Sequence, residues 1–282
     1  MADNFSGLPV ELIHKIFDEI SIVDIVTSMC LVNKWFYNVV LIYSRLRIDF
    51  SCIARRKNQF DLACSQLSTF SSRIVSLTFS DYYYSTTNIK IDRFARCITS
   101  QHTFSNLHSI RFCQIDSLTW NSIKIRLPLF VSLRSISINV IYSQNFSTLT
   151  SLVFYDLVFI WSLNHVSLGS ICNTSKTIVI SPIHASTRTS SIQYLTLKSI
   201  EIDLNYLFTV MPKLRKLDID TWKPHLSPSI RISTDLQQLS IATHAISMTN
   251  IELFLSQMRH LTYLTIFANV LRGDIVDGER WA

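Results

Sequence analysis

Residue types that carry chemistry are thinly spread along this chain. Asp218 and Asp220 in "KLDID" stand two positions apart, so an extended backbone would put both carboxylates on one face, as an acid/base pair requires. Nothing else in the sequence converges on them, and they read as part of a solvated strand face. The eight histidines contain no H-E-x-x-H spacing, and His102 and His108 have no cysteine or carboxylate in a ligand-like arrangement. Gly7, Gly169, Gly273 and Gly278 are the four glycines, too isolated for a phosphate-cradling loop or a nucleophile elbow. No catalytic residue, metal ligand or cofactor is assigned, and the chain reads as a non-enzyme.

The six cysteines, Cys30, Cys52, Cys64, Cys97, Cys113 and Cys172, form no C-x-x-C pair, and no charged-then-apolar leader precedes them. A reducing compartment, cytoplasm or nucleus, is expected, in which the sequons at Asn4, Asn145 and Asn173 are chance matches. With 48% hydrophobic and 16% charged residues in 282, the chain can bury a substantial core. Its net charge of +6 is scattered apart from short runs at Arg55-Arg56-Lys57 and Lys213-Leu214-Arg215-Lys216. Nucleic acid, which needs a concentrated basic face, is not an expected partner. A mean hydropathy of +0.26 raises the question of a membrane. The most apolar window, "LVFYDLVFIWSL" (152–163), is shorter than a span, contains Asp156 and is followed by the polar "NHVSLGSICNTS". It reads as buried core, and no membrane is expected.

Two kinds of element must position whatever these residues do. From Ile74 onward an apolar triplet spaced i, i+3, i+5 recurs eight times: Ile74-Leu77-Phe79, Leu107-Ile110-Phe112, Leu133-Ile136-Ile138, Leu149-Leu152-Phe154, Ile192-Leu195-Leu197, Leu214-Leu217-Ile219, Leu236-Leu239-Ile241 and Leu261-Leu264-Ile266. The starts at Leu214, Leu236 and Leu261 are 22 and 25 residues apart, within the period of leucine-rich repeats. Helical segments precede the last strands, as "NYLFTVM" precedes "PKLRKLDID". The two residues of the L-x-L step point inward, and because one unit cannot bury them alone, units stack with parallel strands. Their neighbours face the other way, toward the expected concave side: Arg111, Tyr194, Thr196, Lys198, Lys216, Asp218, Asp220, Gln238, Ser240, Tyr263 and Phe267. This mixture of tyrosine with both charge signs suits a protein target.

Regularity is expected to fail in places. Asn269 occupies the turn position that leucine-rich repeats give to Asn or Cys, whereas Trp222 and His244 stand in the equivalent places. Between Phe154 and Ile192 the register is lost, with "TIVI" at 177–180 as a degenerate strand. The end, "FANVLRGDIVDGERWA", reads as an open arc prone to self-association, with capping by residues 273–282 and Trp281 as the other reading.

The first fifty residues read as three short helices. Pro9 and Glu11 suit a helix start, Ser21 with Asp24 forms a capping-box-like start to a second helix, and Asn33 caps a third. Val10, Ile13, Phe17 and Ile20 make one apolar stripe on the opening helix, but Leu12 and Ile16 widen it beyond what one small core covers.

Leu8-Pro9, Glu11, Ile16-Phe17, Ile20, Asp24-Ile25, Val32, Lys34 and Trp35 follow in order and spacing the landmarks of the F-box, and the opening segment resembles that family. The remainder resembles the leucine-rich class of F-box proteins. The resemblance implies an α/β architecture: an N-terminal three-helix F-box (1–48), a linker or connecting helix (49–72) and an irregular leucine-rich-repeat-like solenoid with parallel strands (73–282). It further implies docking on a Skp-type adaptor and, through it, a cullin scaffold, with Leu8, Pro9, Leu12, Ile16, Phe17, Ile20, Ile25 and Trp35 as adaptor contacts. The repeats would then hold a protein substrate for ubiquitin transfer. The alternatives are a helical cap on the repeat stack, and a leucine-rich interaction scaffold not engaged in ubiquitin transfer.

Overall fold

The computed structural model describes residues 7–20, 24–25, 28, 32–43, 45–50, 60, 64, 69–79, 87–97, 104–141, 146–160, 162–171, 178–180, 189–221, 235–247, 252, 255–256 and 258–272. Among these the fold is α/β, with six α-helices: α1 (Val10–Glu19), α2 (Lys34–Ile42), α3 (Thr87–Cys97), α4 (Ser117–Lys124), α5 (Phe146–Val158) and α6 (Leu204–Val210). The strands are β1 (Leu46–Asp49), β2 (Ile74–Phe79), β3 (Ser109–Ile115), β4 (Ser135–Ile141), β5 (His165–Ile171), β6 (Ile178–Ile180), β7 (Tyr194–Lys198), β8 (Ile200–Ile202), β9 (Lys216–Ile219), β10 (Gln238–Ser247) and β11 (Tyr263–Arg272). Nine form the main sheet in the order β1-β2-β3-β4-β5-β7-β9-β10-β11, and β6 pairs with β8 in a second sheet. Every pairing with a described register is parallel. The chain divides into two compact units, residues 1–136 and 137–282. None of the helices among the described residues is long and apolar enough to cross a membrane.

In the first unit α1 begins at Pro9, whose carbonyl accepts from the N–H groups of Leu12 (3.0 Å) and Ile13 (3.3 Å). Asn33 caps α2 as expected: its Oδ1 accepts from the Phe36 N–H at 2.9 Å. The expected middle helix falls mostly outside the described residues, of which Asp24, Ile25 and Ser28 belong to it. Ile13, Phe17, Phe36, Val39 and Val40 are buried, and the Phe17 ring meets Tyr43 edge-on at 5.7 Å. The Tyr43 hydroxyl donates to the Asp18 carboxylate, and burial followed by this bond pushes its pKa up to about 12.

Directly after α2 comes β1, which crosses the expected boundary at 48/49 and pairs with β2 through Ile48↔Leu77 and Asp49↔Thr78. "LRIDF" alternates buried and exposed residues, and Tyr43, Leu46 and Ile48, all buried, stand at the i, i+3, i+5 spacing with a tyrosine in the first place. Its last ring, Phe50, stacks on Phe79 at 4.9 Å, which stacks on Phe112 at 5.5 Å, so three successive strands share an aromatic column.

A backbone device recurs where the strands begin. The first residue of a triplet donates its N–H to the carbonyl three positions earlier: Leu107 to Phe104, Leu133 to Phe130, Leu163 to Ile160, Leu214 to Met211 and Leu261 to Met258. One carbonyl then accepts two successive N–H groups from the next repeat. His108 takes Arg134 and Ser135, Asn164 takes Gln193 and Tyr194, Arg215 takes Gln237 and Gln238, and Gln237 takes Thr262 and Tyr263, at 2.9–3.0 Å. Because both partners are main chain, the side chains at these positions are free to vary.

Three expectations are corrected. The triplet Leu149-Leu152-Phe154 is no strand but lies in α5, where Leu149, Val153, Phe154 and Leu157 are buried at helical spacing and Leu152 is exposed. The strand of this repeat is β5, in the segment read as polar, and its triplet is Leu163-Val166-Leu168. The "TIVI" strand exists as β6 but joins β8 in the second sheet. The positions of His244 and Asn269 are not turns: β10 and β11 run extended through them. Trp222 and residues 273–282 lie outside the described residues.

Candidate interaction surfaces

The buried and exposed residues of α1 form two stripes. Ile13 and Phe17 are 1% and 3% exposed. One residue back, about 100° around the helix, Leu12 is 45% and Ile16 38% exposed. Pro9 falls on the same stripe and is exposed, with Leu8 and Ile20 half-buried. The extra apolar side of "LPVELIHKIFDEI" therefore faces solvent while the first holds the helix down. Trp35, half-buried, meets Phe36 edge-on at 4.9 Å. Of the expected adaptor contacts, Phe17 and Ile25 are buried in the protein's own interior. Val32 and Ile42, both exposed, were left out of the expected contacts. Spacing alone assigned neither.

A second surface is the outward face of β7, β9, β10 and β11 in the second unit. Pairing places Tyr194, Lys216, Gln238 and Tyr263 in one row across the four strands. His165 on β5 extends the row, its ring edge-on to Tyr194 at 6.2 Å. It was missed because β5 was missed. Burial, and secondarily the Lys216 ammonium, lower its pKa below the usual imidazole value. The next row is Ser167, Thr196, Asp218, Ser240 and Thr265; beyond it Gly169 pairs with Lys198, and Ala242 with Phe267. Tyr263 and Phe267 are the most exposed aromatics of this face. Arg111 stands apart from these rows, on β3 of the first unit opposite Thr78.

Asp220 accepts from the Ser199 N–H and from the Thr221 hydroxyl at 3.0 Å, which fastens the turn where Ser199 takes a left-handed φ of 59°. Gln114 repeats this conformation at φ 64°. Beyond each an aspartate caps the next helix, Asp116 for α4 and Asp203 for α6. Gly169 serves a close approach, since a Cβ there would lie 2.8 Å from Asn139 Oδ1. Among the described residues no group of three His, Cys, Asp or Glu could hold a metal ion. Against known proteins, the chain matches no family model and no curated sequence.

Proposed function

We propose that this protein is a non-catalytic substrate receptor of a cullin-type ubiquitin ligase, docking a Skp-type adaptor through α1 and α2 and a protein target through the outward strand face. The observation that carries this reading is the exposed stripe Pro9, Leu12 and Ile16, laid beside the buried stripe of Ile13 and Phe17. A helix whose own core is satisfied gains nothing by itself from a second apolar side, whereas an adaptor groove does. Function on this reading is proximity: the receptor raises the effective concentration of a target lysine near an enzyme that it does not contain. It places the protein in the cytoplasm or nucleus.

A second reading, a repeat scaffold whose helices act as a cap, is favoured by β1, which continues the sheet directly after α2. Adaptor capture separates the two. Each large apolar side chain buried at an interface is worth roughly 1.5–3 kcal/mol, so changing Leu12 and Ile16 together to glutamate should weaken capture by ~100-fold or more. Full-length protein that ignores a purified adaptor at micromolar concentration would sink the receptor reading and leave the scaffold.

A further inference from the structure

β11 is the last strand in the order of the main sheet, and among the described residues no strand pairs with its outer edge. Natural edge strands are usually blunted by charge, proline, a bulge or short length. This one is ten residues long, keeps one constant parallel register through nine pairs from Gln238↔Tyr263 to Ser247↔Arg272, and has no proline, glycine or charged residue before Arg272. Its apolar step is also less covered than that of its neighbour: Leu239 and Ile241 are each 1% exposed, whereas Leu264 and Ile266 are half-buried. Tyr263 and Phe267 stand 60% and 64% exposed.

We propose that β11 pairs edge to edge with β11 of a second copy, antiparallel, about a two-fold axis at Thr265. A two-fold axis through a shared sheet makes the paired strands antiparallel and the contact self-complementary. The backbone restricts the register. The Tyr263 N–H is turned inward to the Gln237 carbonyl, so alternation turns the N–H and C=O of Leu264 and Ile266 outward. Outward groups meet outward groups only in registers that set residues of like parity opposite one another. Among these, the register centred on Thr265 sets Leu264 against Ile266 of the second copy as the hydrogen-bonded pair. It sets Tyr263 against Phe267 of the second copy at the non-bonded site, where side chains come closest. Centring on Leu264 or Ile266 would put an aromatic against Thr265. A second copy is the occupant that this pattern fits, because the strand is complementary to itself. With a net charge of +6, two copies repel in general, and the uncharged run 261–271 is where they approach at least cost. The proposal is independent of the receptor reading.

One strand pair buries less than a standard interface, so the dimer is weak and needs high concentration. Sedimentation equilibrium of the full chain from ~1 to ~100 μM should show a saturable monomer–dimer equilibrium, strengthened by salt that screens the net charge. Changing Tyr263 and Phe267 both to lysine, or both to glutamate, sets like charges opposite one another twice. Each variant should lose at least tenfold in association, and an equimolar mixture of the two should recover it. Both side chains are exposed, so the melting temperature should hold. As a second measure, Thr265→Cys should give a cross-linked dimer under mild oxidation where the unsubstituted chain gives none, since the two β-carbons at 265 face each other. A chain that stays monomeric throughout, association that survives the lysine pair, or a mixture that fails to associate would each overturn the proposal.

Discussion

The helical start and the strand repeats are stabilised by opposite means. Around α1 and α2 the contacts are made by individual side chains: Phe17 and His14 on the Tyr43 ring, the Tyr43 hydroxyl on Asp18, His14 Nε2 3.4 Å from the Val39 carbonyl. In the repeats, one carbonyl taking two N–H groups of the next unit does the equivalent work, and the residues contributing it, His108, Asn164, Gln193, Arg215 and Gln237, contribute main chain rather than one common side chain. Surplus apolar surface consequently sits in different places. On the helices it is a side stripe beside the buried Ile13 and Phe17, while in the repeats it stands on Tyr263 and Phe267 of β11 and on Leu118, Ile125, Leu129 and Val131 in and after α4.

The largest effect that would break this contrast is at Phe17. Truncating a buried phenylalanine costs ~3–5 kcal/mol, so Phe17→Ala should lower the denaturant midpoint sharply and lose adaptor capture through loss of structure. Leu12→Ala, on the exposed stripe, should stay within about 0.5 kcal/mol and still weaken capture. Urea unfolding monitored by circular dichroism reads both. Equal destabilisation by the two variants would mean that α1 does not have a structural stripe and a separate free one.

How much could be seen in advance follows the same division. The triplets with an L-x-L step marked seven of the nine main strands, because burial on one face imposes a spacing of two. β1 escaped since its triplet, Tyr43-Leu46-Ile48, opens on an aromatic that follows directly on the third helical segment. β5 escaped since His165, Ser167 and Gly169, interleaved with Val166 and Leu168, dilute "HVSLGS" into an apparent loop. α5 contributed a false triplet because its buried stripe supplies Leu149 and Phe154 and the exposed Leu152 fills the middle offset. On the helices, the resemblance named Ile16 and Phe17 alike and could not distinguish the exposed one from the buried one, adjacent in sequence and ~100° apart around the axis. The partner of Asp220 was out of reach, since Ser199 carries no signal for a left-handed backbone.

A smaller effect is expected at Gly169. In a repeat held by backbone, side-chain changes on the wet face should be mild except where the backbone itself is approached. Gly169→Ala meets Asn139 Oδ1 at 2.8 Å and should cost ~1–3 kcal/mol, as overpacking does. Lys198→Ala, on the paired strand at the same register, should be nearly silent. If thermal melts show both to be silent, Asn139 can move aside and the approach has no energetic weight.

The smallest effects concern pH: alkali acts on both regions, because burial raises the pKa of Tyr206 on α6 to about 12 as it does that of Tyr43, whereas the acid effect belongs to His165 in the repeats. Tyr43 holds its proton more tightly folded than unfolded, with its pKa raised from about 10 to about 12. The folded form therefore binds the extra proton between those values, so its contribution is complete below the ordinary value and is lost as pH rises through the folded one. His165 behaves oppositely. Its lowered pKa means that the unfolded chain takes up a proton first, so its contribution is present above the ordinary imidazole value and is lost as pH falls. Acid should thus weaken the repeats at His165, and alkali both the helices at Tyr43 and the repeats at Tyr206. His165→Gln should flatten part of the fall in denaturant midpoint between pH 7 and pH 5, and Tyr43→Phe should flatten part of the fall above pH 10. Lys216→Gln removes the secondary, coulombic cause and leaves burial, so an NMR titration should find the His165 imidazole moved partway back toward its ordinary value. A full return would mean that Lys216 rather than burial sets it, and no movement would mean that the two side chains do not share the row on which the strand pairing puts them.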